Sequence, residues 1–255
     1  MKRMITLSAL VLLTTVVGLA QADKSKPTTG KQTATKATAQ PAAKQQQAEE
    51  PKLSPMAEHF ARKYSIASRW NDLEVAKDAL YDLIVEFPDS DSLIFALAYY
   101  YYENQKYPSS ALVGQDLLGR TPKNLQVLEL VASSYENLNL LDRALQNYES
   151  LYLLTNNIQT LYKMAILQYQ LKKYPEAMTN IDIILANPDV DKIKLLFADA
   201  AKKEKEYVMR VPVLNLKGMV YKEQGDKVNA KKQFDEALKI APDFVFAKEN
   251  AETVK

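Results

Sequence analysis

The 255-residue chain has no cysteine, one histidine and only six glycines. Without cysteine there is no disulfide, no thiolate nucleophile and no Cys-ligated zinc. The single histidine, His59, leaves no His–His metal pair and one place for a serine triad, and it reads as a surface residue. The glycines, at 18, 30, 114, 119, 218 and 225, form neither G-x-G-x-x-G nor a phosphate-cradling loop. Excess charge is missing too. Lys+Arg number 33 against 31 Asp+Glu, and the first 22 residues carry two of those cations, Lys2 and Arg3, and no acid. The remainder is formally neutral and sets up no field that gathers nucleic acid or an anionic membrane, so neither is an expected partner. Apolar residues, 47% of the chain, suffice for one sizeable core. No catalytic set, cofactor or metal is expected.

The amino terminus carries an address. Lys2 and Arg3 precede an apolar run from Ile5 to Val17, and Ala20 and Ala22 form an A-x-A cleavage site. Residues 1–22 therefore read as a signal peptide cut before Asp23. The run falls short of the roughly 20 residues that span a bilayer, which makes an uncleaved inner-membrane anchor the alternative and the one expected route to membrane contact. No asparagine lies in an N-x-[ST] acceptor, which favours a bacterial periplasmic or secreted location over a glycosylating route. Residues 23–55, rich in Lys, Thr, Ala, Gln and Pro with Leu53 as the only large aliphatic, bury too little to offset chain entropy and read as a disordered linker.

From residue 56 to 255 the pattern is helical and repetitive. Aligning small and large residues gives units starting at Ala57, Asp91, Leu125, Ile158 and Val211, spanning 57–90, 91–124, 125–157, 158–191 and 211–244. An insertion, 192–210, separates the last two. Position 8 of the units holds Tyr64, Ala98, Ala132, Ala165 and Gly218; position 20 holds Ala76, Ser110, Ala144, Ala177 and Ala230. Ala, Gly and Ser make up under a fifth of the chain yet fill nine of these ten places, so the columns mark where two helices of a unit cross closely. In the first unit Tyr64 at position 8 and Ala67 at position 11 exchange large and small with volume conserved.

These columns resemble the tetratricopeptide repeat family, with the closest match in the last unit, where Leu214, Gly218, Tyr221, Gly225, Ala230, Phe234, Ala237 and Pro242 fall at family positions 4, 8, 11, 15, 20, 24, 27 and 32. The departures are Gly114 at position 24, Gln168 at position 11, Asn156 in place of a terminal proline, and Pro188 one residue early. The resemblance implies an all-α fold, an α-solenoid of about five helix-turn-helix repeats. The carboxy-terminal stretch 243–255 reads as a capping helix N-capped by Asp243. Within the insertion, alternation at Ile193, Leu195 and Phe197 and again at Tyr207, Met209 and Val211 suits a small β-hairpin. A helix face through Ile193, Leu196, Phe197 and Ala200 is the alternative, and the connecting Ala198 to Lys205 lacks the Gly or Asn of a tight turn.

In the family, positions 2, 5, 9, 12 and 13 face a concave groove. Carried over, they imply a partner-binding surface containing Phe95, Tyr99, Tyr102, Glu129, Glu136, Tyr162, Tyr169, Asn215 and Lys222, with Ser133, Asn137 and Gln170 on the same side. The tyrosines are large contacts of low rotamer entropy with polar tips. Some members clamp a peptide carboxylate with Lys, Asn and Arg at set positions. Here those positions hold Ala61, Ser65, Gln126 and Leu130, so a hydrophobic or polar segment is the expected ligand. The reading is a non-catalytic scaffold or adaptor of the bacterial cell envelope that binds envelope proteins and supports assembly or secretion. Glycan or peptidoglycan binding through the tyrosines is the alternative.

Overall fold

A computed structural model describes residues 53–199 and 203–254. The signal segment and all but the last three linker residues lie outside them. Among the described residues run α1 (Pro55–Arg69), α2 (Leu73–Glu86), α3 (Asp91–Glu103), α4 (Tyr107–Arg120), α5 (Leu125–Asn137), α6 (Leu141–Thr155), α7 (Ile158–Gln170) and α8 (Tyr174–Ala186). Strands β1 (Lys194–Ala198) and β2 (Glu204–Val208) follow, then α9 (Arg210–Glu223), α10 (Lys227–Ile240) and α11 (Val245–Glu252). Described residues up to Leu93 and those from Ile94 form two compact units. In the first, α1 packs on α2; in the second, each helix from α4 to α11 packs on the next, with the hairpin lying between α8 and α9 in sequence. No described helix is long and apolar enough to cross a membrane.

Every repeat turns on the same device. At position 15 of each unit the backbone is left-handed: Asn71 (φ 58°), Gln105 (59°), Asn139 (57°), Lys172 (59°) and Gly225 (81°). The next amide donates back to the carbonyl at position 11, in Asp72 to Ala67 (2.9 Å), Lys106 to Tyr101 (2.8 Å), Leu140 to Tyr135 (2.9 Å), Lys173 to Gln168 (2.8 Å) and Asp226 to Tyr221 (2.9 Å). A second bond joins the position-15 amide to the position-12 carbonyl, as in Lys172 to Tyr169 at 3.0 Å. This is the Schellman closure, which satisfies the last carbonyls of one helix and reverses the chain into the next.

The small columns are buried where expected. Ala98, Ala132, Ala144, Ala165, Ala177 and Ala230 have no exposed surface. A Cβ built on Gly218 would meet Phe234 Cε1 at 2.4 Å, so α9 and α10 touch because that side chain is missing. Three of the four departures from the family pattern have local explanations. Gly114 faces Val131, whose Cγ2 would lie 2.4 Å from an added Cβ, so large and small exchange between α4 and α5. Buried Gln168 accepts from Asn180 Nδ2 at 2.7 Å, and Asn156, left-handed at φ 49°, ends α6 in place of proline.

The insertion is a hairpin. Leu195 pairs with Tyr207 and Phe197 with Lys205 in antiparallel register. Its turn, without Gly or Asn, is closed by Asp199, whose amide donates to the Lys203 carbonyl (2.8 Å) and whose Oδ1 accepts from the Lys203 amide (2.8 Å). Phe197 and Tyr207 pack on Phe244, with ring centroids at 5.3 and 4.9 Å. Arg210 fastens the base of the hairpin through two bonds to Asp191, at 2.8 and 2.9 Å. One expectation is corrected. Phe244, not Asp243, is the N-cap of α11, and no side chain caps it. The Asp243 carboxylate is drawn instead to Lys205 and Tyr207 of β2, because a cation and a phenol there offer charge-assisted bonds.

Three outcomes follow from these contacts. Gly218→Ala gains helix propensity but must displace the buried Phe234 ring, and is expected to lower stability by about 1–3 kcal/mol in chemical denaturation. Gly119→Ala, with open space around the added Cβ, should instead raise it by roughly 0.5–1 kcal/mol. Lys172→Gly relieves a left-handed residue and should stabilise by about 0.5–1 kcal/mol by the same assay.

A fourth outcome concerns pH. The Arg210 guanidinium holds the Asp191 carboxyl below its ordinary range, and Lys205 does the same for Asp243. Both contributions are therefore complete above the ordinary carboxylate range and are lost as pH falls through the lowered folded values. The gap in melting temperature between the parent and an Asp191→Asn, Asp243→Asn double variant should be largest near neutrality and close as pH drops below about 4.

Candidate functional site

The first helices of three successive repeats, α3, α5 and α7, share a hollow of about 470 Å³ lined by Tyr102, Ser133, Glu136, Asn137, Asn139, Leu141, Lys163 and Gln170. Helical spacing brings them together. Positions 9, 12 and 13 of α5 supply Ser133, Glu136 and Asn137, while Tyr102 and Gln170 project from the ends of α3 and α7.

The wall of this hollow is set by one buried phenol. Tyr148 of α6 is 1% exposed, yet its hydroxyl has three partners. It donates to Glu136 Oε2 at 3.0 Å and accepts from Lys163 Nζ at 2.9 Å. A phenol has one proton, so the third contact, 3.1 Å to Ser133 Oγ, must have serine as donor. Lys163 also lies over the Tyr148 ring, 5.0 Å from its centroid. Burial raises the Tyr148 pKa well above the ordinary phenol range, with the nearby Glu136 carboxylate adding to the shift, so the donor stays protonated. Core and surface are thereby joined, because the residue filling the α5–α6 interface also fixes the carboxylate and the ammonium that face outward.

The residues implied by the resemblance divide by place. Tyr102 and Glu136 line the hollow, with Tyr102 edge-on to Tyr107 at 5.6 Å. Phe95 and Tyr99 are half-buried and stacked at 6.3 Å, and Tyr99 is hydrogen-bonded to Glu103. Tyr169 is half-buried against Tyr174 at 6.1 Å and hydrogen-bonded to Glu223. Glu129 is exposed, and Lys222 is half-buried in the last turn of α9. Tyr162 lies outside the lining of the hollow, and desolvation pushes its phenol pKa strongly upward. Asn215 is buried, its Oδ1 accepting from Asn250 of α11 at 2.9 Å, so the capping helix occupies that part of the last repeat.

Lys163 sits at position 6, beside the positions carried over from the family, and so is not among the residues that the resemblance implies. Its signal in the sequence is that it is the lone charge in the otherwise uncharged α7. The hollow holds one ammonium, one carboxylate, three amides and a phenol, a mixed donor and acceptor set suited to a polar chain rather than to a single charged terminus. Among the described residues no group of three or more His, Asp or Glu converges in a way that would hold a metal ion.

No family model matches the sequence, and no curated protein matches it. Solved structures do. A tetratricopeptide repeat protein from Parabacteroides merdae ATCC 43184 is 20% identical with a TM-score of 0.60, over 79% of this chain and 73% of its own. YrrB, described as a TPR protein with an unusual peptide-binding site, is 14% identical with a TM-score of 0.59, over 77% and 92%. Residues 41 to the end of MamA from Desulfovibrio magneticus RS-1 are 9% identical with a TM-score of 0.57, over 76% and 99%. At such identities the likeness speaks to architecture alone: the chain has a tetratricopeptide-repeat-like fold, with a β-hairpin inserted ahead of its last repeat.

Proposed function

We propose that the protein is a non-catalytic adaptor, exported to the bacterial cell envelope, that holds a segment of another envelope protein on the side carried by α3, α5 and α7 and so supports assembly or secretion. The observation that carries this reading is the shared hollow: three repeats contribute to one recess whose wall is fixed from behind by Tyr148. An extended segment laid across it meets Tyr102 as an aromatic contact and the amides of Asn137 and Gln170 as hydrogen-bond partners for its main chain. Export rests on the sequence alone, on the basic start, apolar run and A-x-A site of residues 1–22. An uncleaved inner-membrane anchor is the variant of that reading.

Glycan or peptidoglycan binding is the second reading, favoured by the amide-rich lining beside Tyr102, since hydroxyl-rich sugars use the same donors and acceptors. One experiment addresses both. The substitutions Tyr102→Ala, Asn137→Ala and Gln170→Ala remove lining without touching the buried Tyr148 network. Combined, they are expected to cut recovery of a co-purifying protein at least about tenfold while the helical circular-dichroism signal and melting temperature stay near the parent's. Unchanged recovery would overturn the assignment of the hollow. Retention on cell-wall material, lost in the same variant, would replace the protein partner with a glycan.

A further inference from the structure

We propose that the outer edge of β1 pairs with the same edge of a second copy of this chain, forming a four-stranded antiparallel sheet across a two-fold axis at Leu196. The hairpin's own hydrogen bonds show which backbone groups remain for such pairing. The Met209 amide donates to the Ile193 carbonyl at 2.8 Å, and the Asp199 amide to that of Lys203 at 2.8 Å, so residues 193 and 199 belong to hydrogen-bonded pairs of the ladder. Alternation in an antiparallel ladder then points the N–H and C=O of Lys194, Leu196 and Ala198 away from β2. No described residue hydrogen-bonds to that edge, and Leu196 is 61% exposed.

The edge is also held in place. Phe197 packs on Phe244 and Phe246 at 5.3 and 5.8 Å, and Arg210 ties the hairpin base to Asp191. An ordered edge is a template with little entropy left to lose.

The occupant is identified by self-complementarity. With Leu196 opposite the partner's Leu196, Lys194 falls opposite the partner's Ala198, and no like charges meet. Leu195 meets the partner's Phe197 on the inner face, beside Phe246, which is 40% exposed. About six main-chain hydrogen bonds close the pair. The β2 edge refuses the same arrangement, because a two-fold axis at Glu206 opposes two carboxylates and sets Glu204 beside them. Two five-residue strands bury less than the roughly 1,200 Å² of a stable interface, so the dimer is weak, with a dissociation constant of about 10 µM to 1 mM.

The chain contains no cysteine, which makes the test direct. In full-length protein, Leu196→Cys places two thiols on Cα atoms about 5.5 Å apart across the axis, within disulfide range, whereas Ala198→Cys leaves them about 14 Å apart. Mild oxidation is expected to give covalent dimer from Leu196→Cys and not from Ala198→Cys. Sedimentation equilibrium of the unmodified chain should show a monomer–dimer equilibrium that Leu196→Lys weakens at least about tenfold, with an unchanged circular-dichroism spectrum. A monomer at all concentrations up to about 1 mM would overturn the proposal. So would a dimer indifferent to Leu196→Lys, equal cross-linking of both cysteine variants, or assembly beyond the dimer.

Discussion

Two helices approach closely only where one of them gives up its side chain, and the packing of this protein rests on that sacrifice being repeated. Ala132 and Ala144 cross in the third unit, Ala165 and Ala177 in the fourth, and Gly218 and Ala230 in the fifth, all fully enclosed or nearly so. At Gly218 even a methyl group is too much, because the Phe234 ring occupies its place. The close crossing dictates the turn as well. Helices in contact along their length need a short connection, and the left-handed residue with its two reversed hydrogen bonds supplies it five times. Crossing and turn together fix the direction of each first helix, and that direction brings residues of α3, α5 and α7 to one recess.

Much of this was legible in the residues and some was not, for physical reasons. The columns at positions 8 and 20 are legible because burial at a crossing tolerates few side chains. The left-handed position is legible at Gly225 and illegible at Gln105 and Lys172, since a well-formed Schellman closure overrides the local penalty of roughly 1–2 kcal/mol and leaves no trace in residue type. Alternation at Leu195, Phe197 and Tyr207 announced the hairpin, while its turn rests on one aspartate doing work usually given to glycine or asparagine. In sequence Asp243 suits a helix cap, as an acid before a helix does, and the pull of Lys205 and Tyr207 on its carboxylate arises only in the tertiary structure.

The recess shows the same limit. Tyr102, Ser133, Glu136, Asn137 and Gln170, carried over by position number, all line it, because helical phase decides which way they face. Position numbers do not place Lys163, which reaches the recess through its length and its attraction to the Tyr148 phenol and ring. Nor do they anticipate that Asn215, in phase with the others, lies beneath α11. Phase is local and readable; long side chains and terminal helices are tertiary facts.

The hairpin leaves and rejoins the helical stack at almost one point, since Ile193 and Met209 are bonded to each other across its base. Material threaded between those two residues has its ends already closed and adds no further separation for the flanking helices to span. The fold thus contains a port where sequence of any length is accommodated without altering the repeat register, which resumes at Val211 as though nothing had intervened. Phe197 and Tyr207 anchor the port to Phe244, so it is sequence added beyond them, between Asp199 and Lys203, that leaves the packed scaffold as it is.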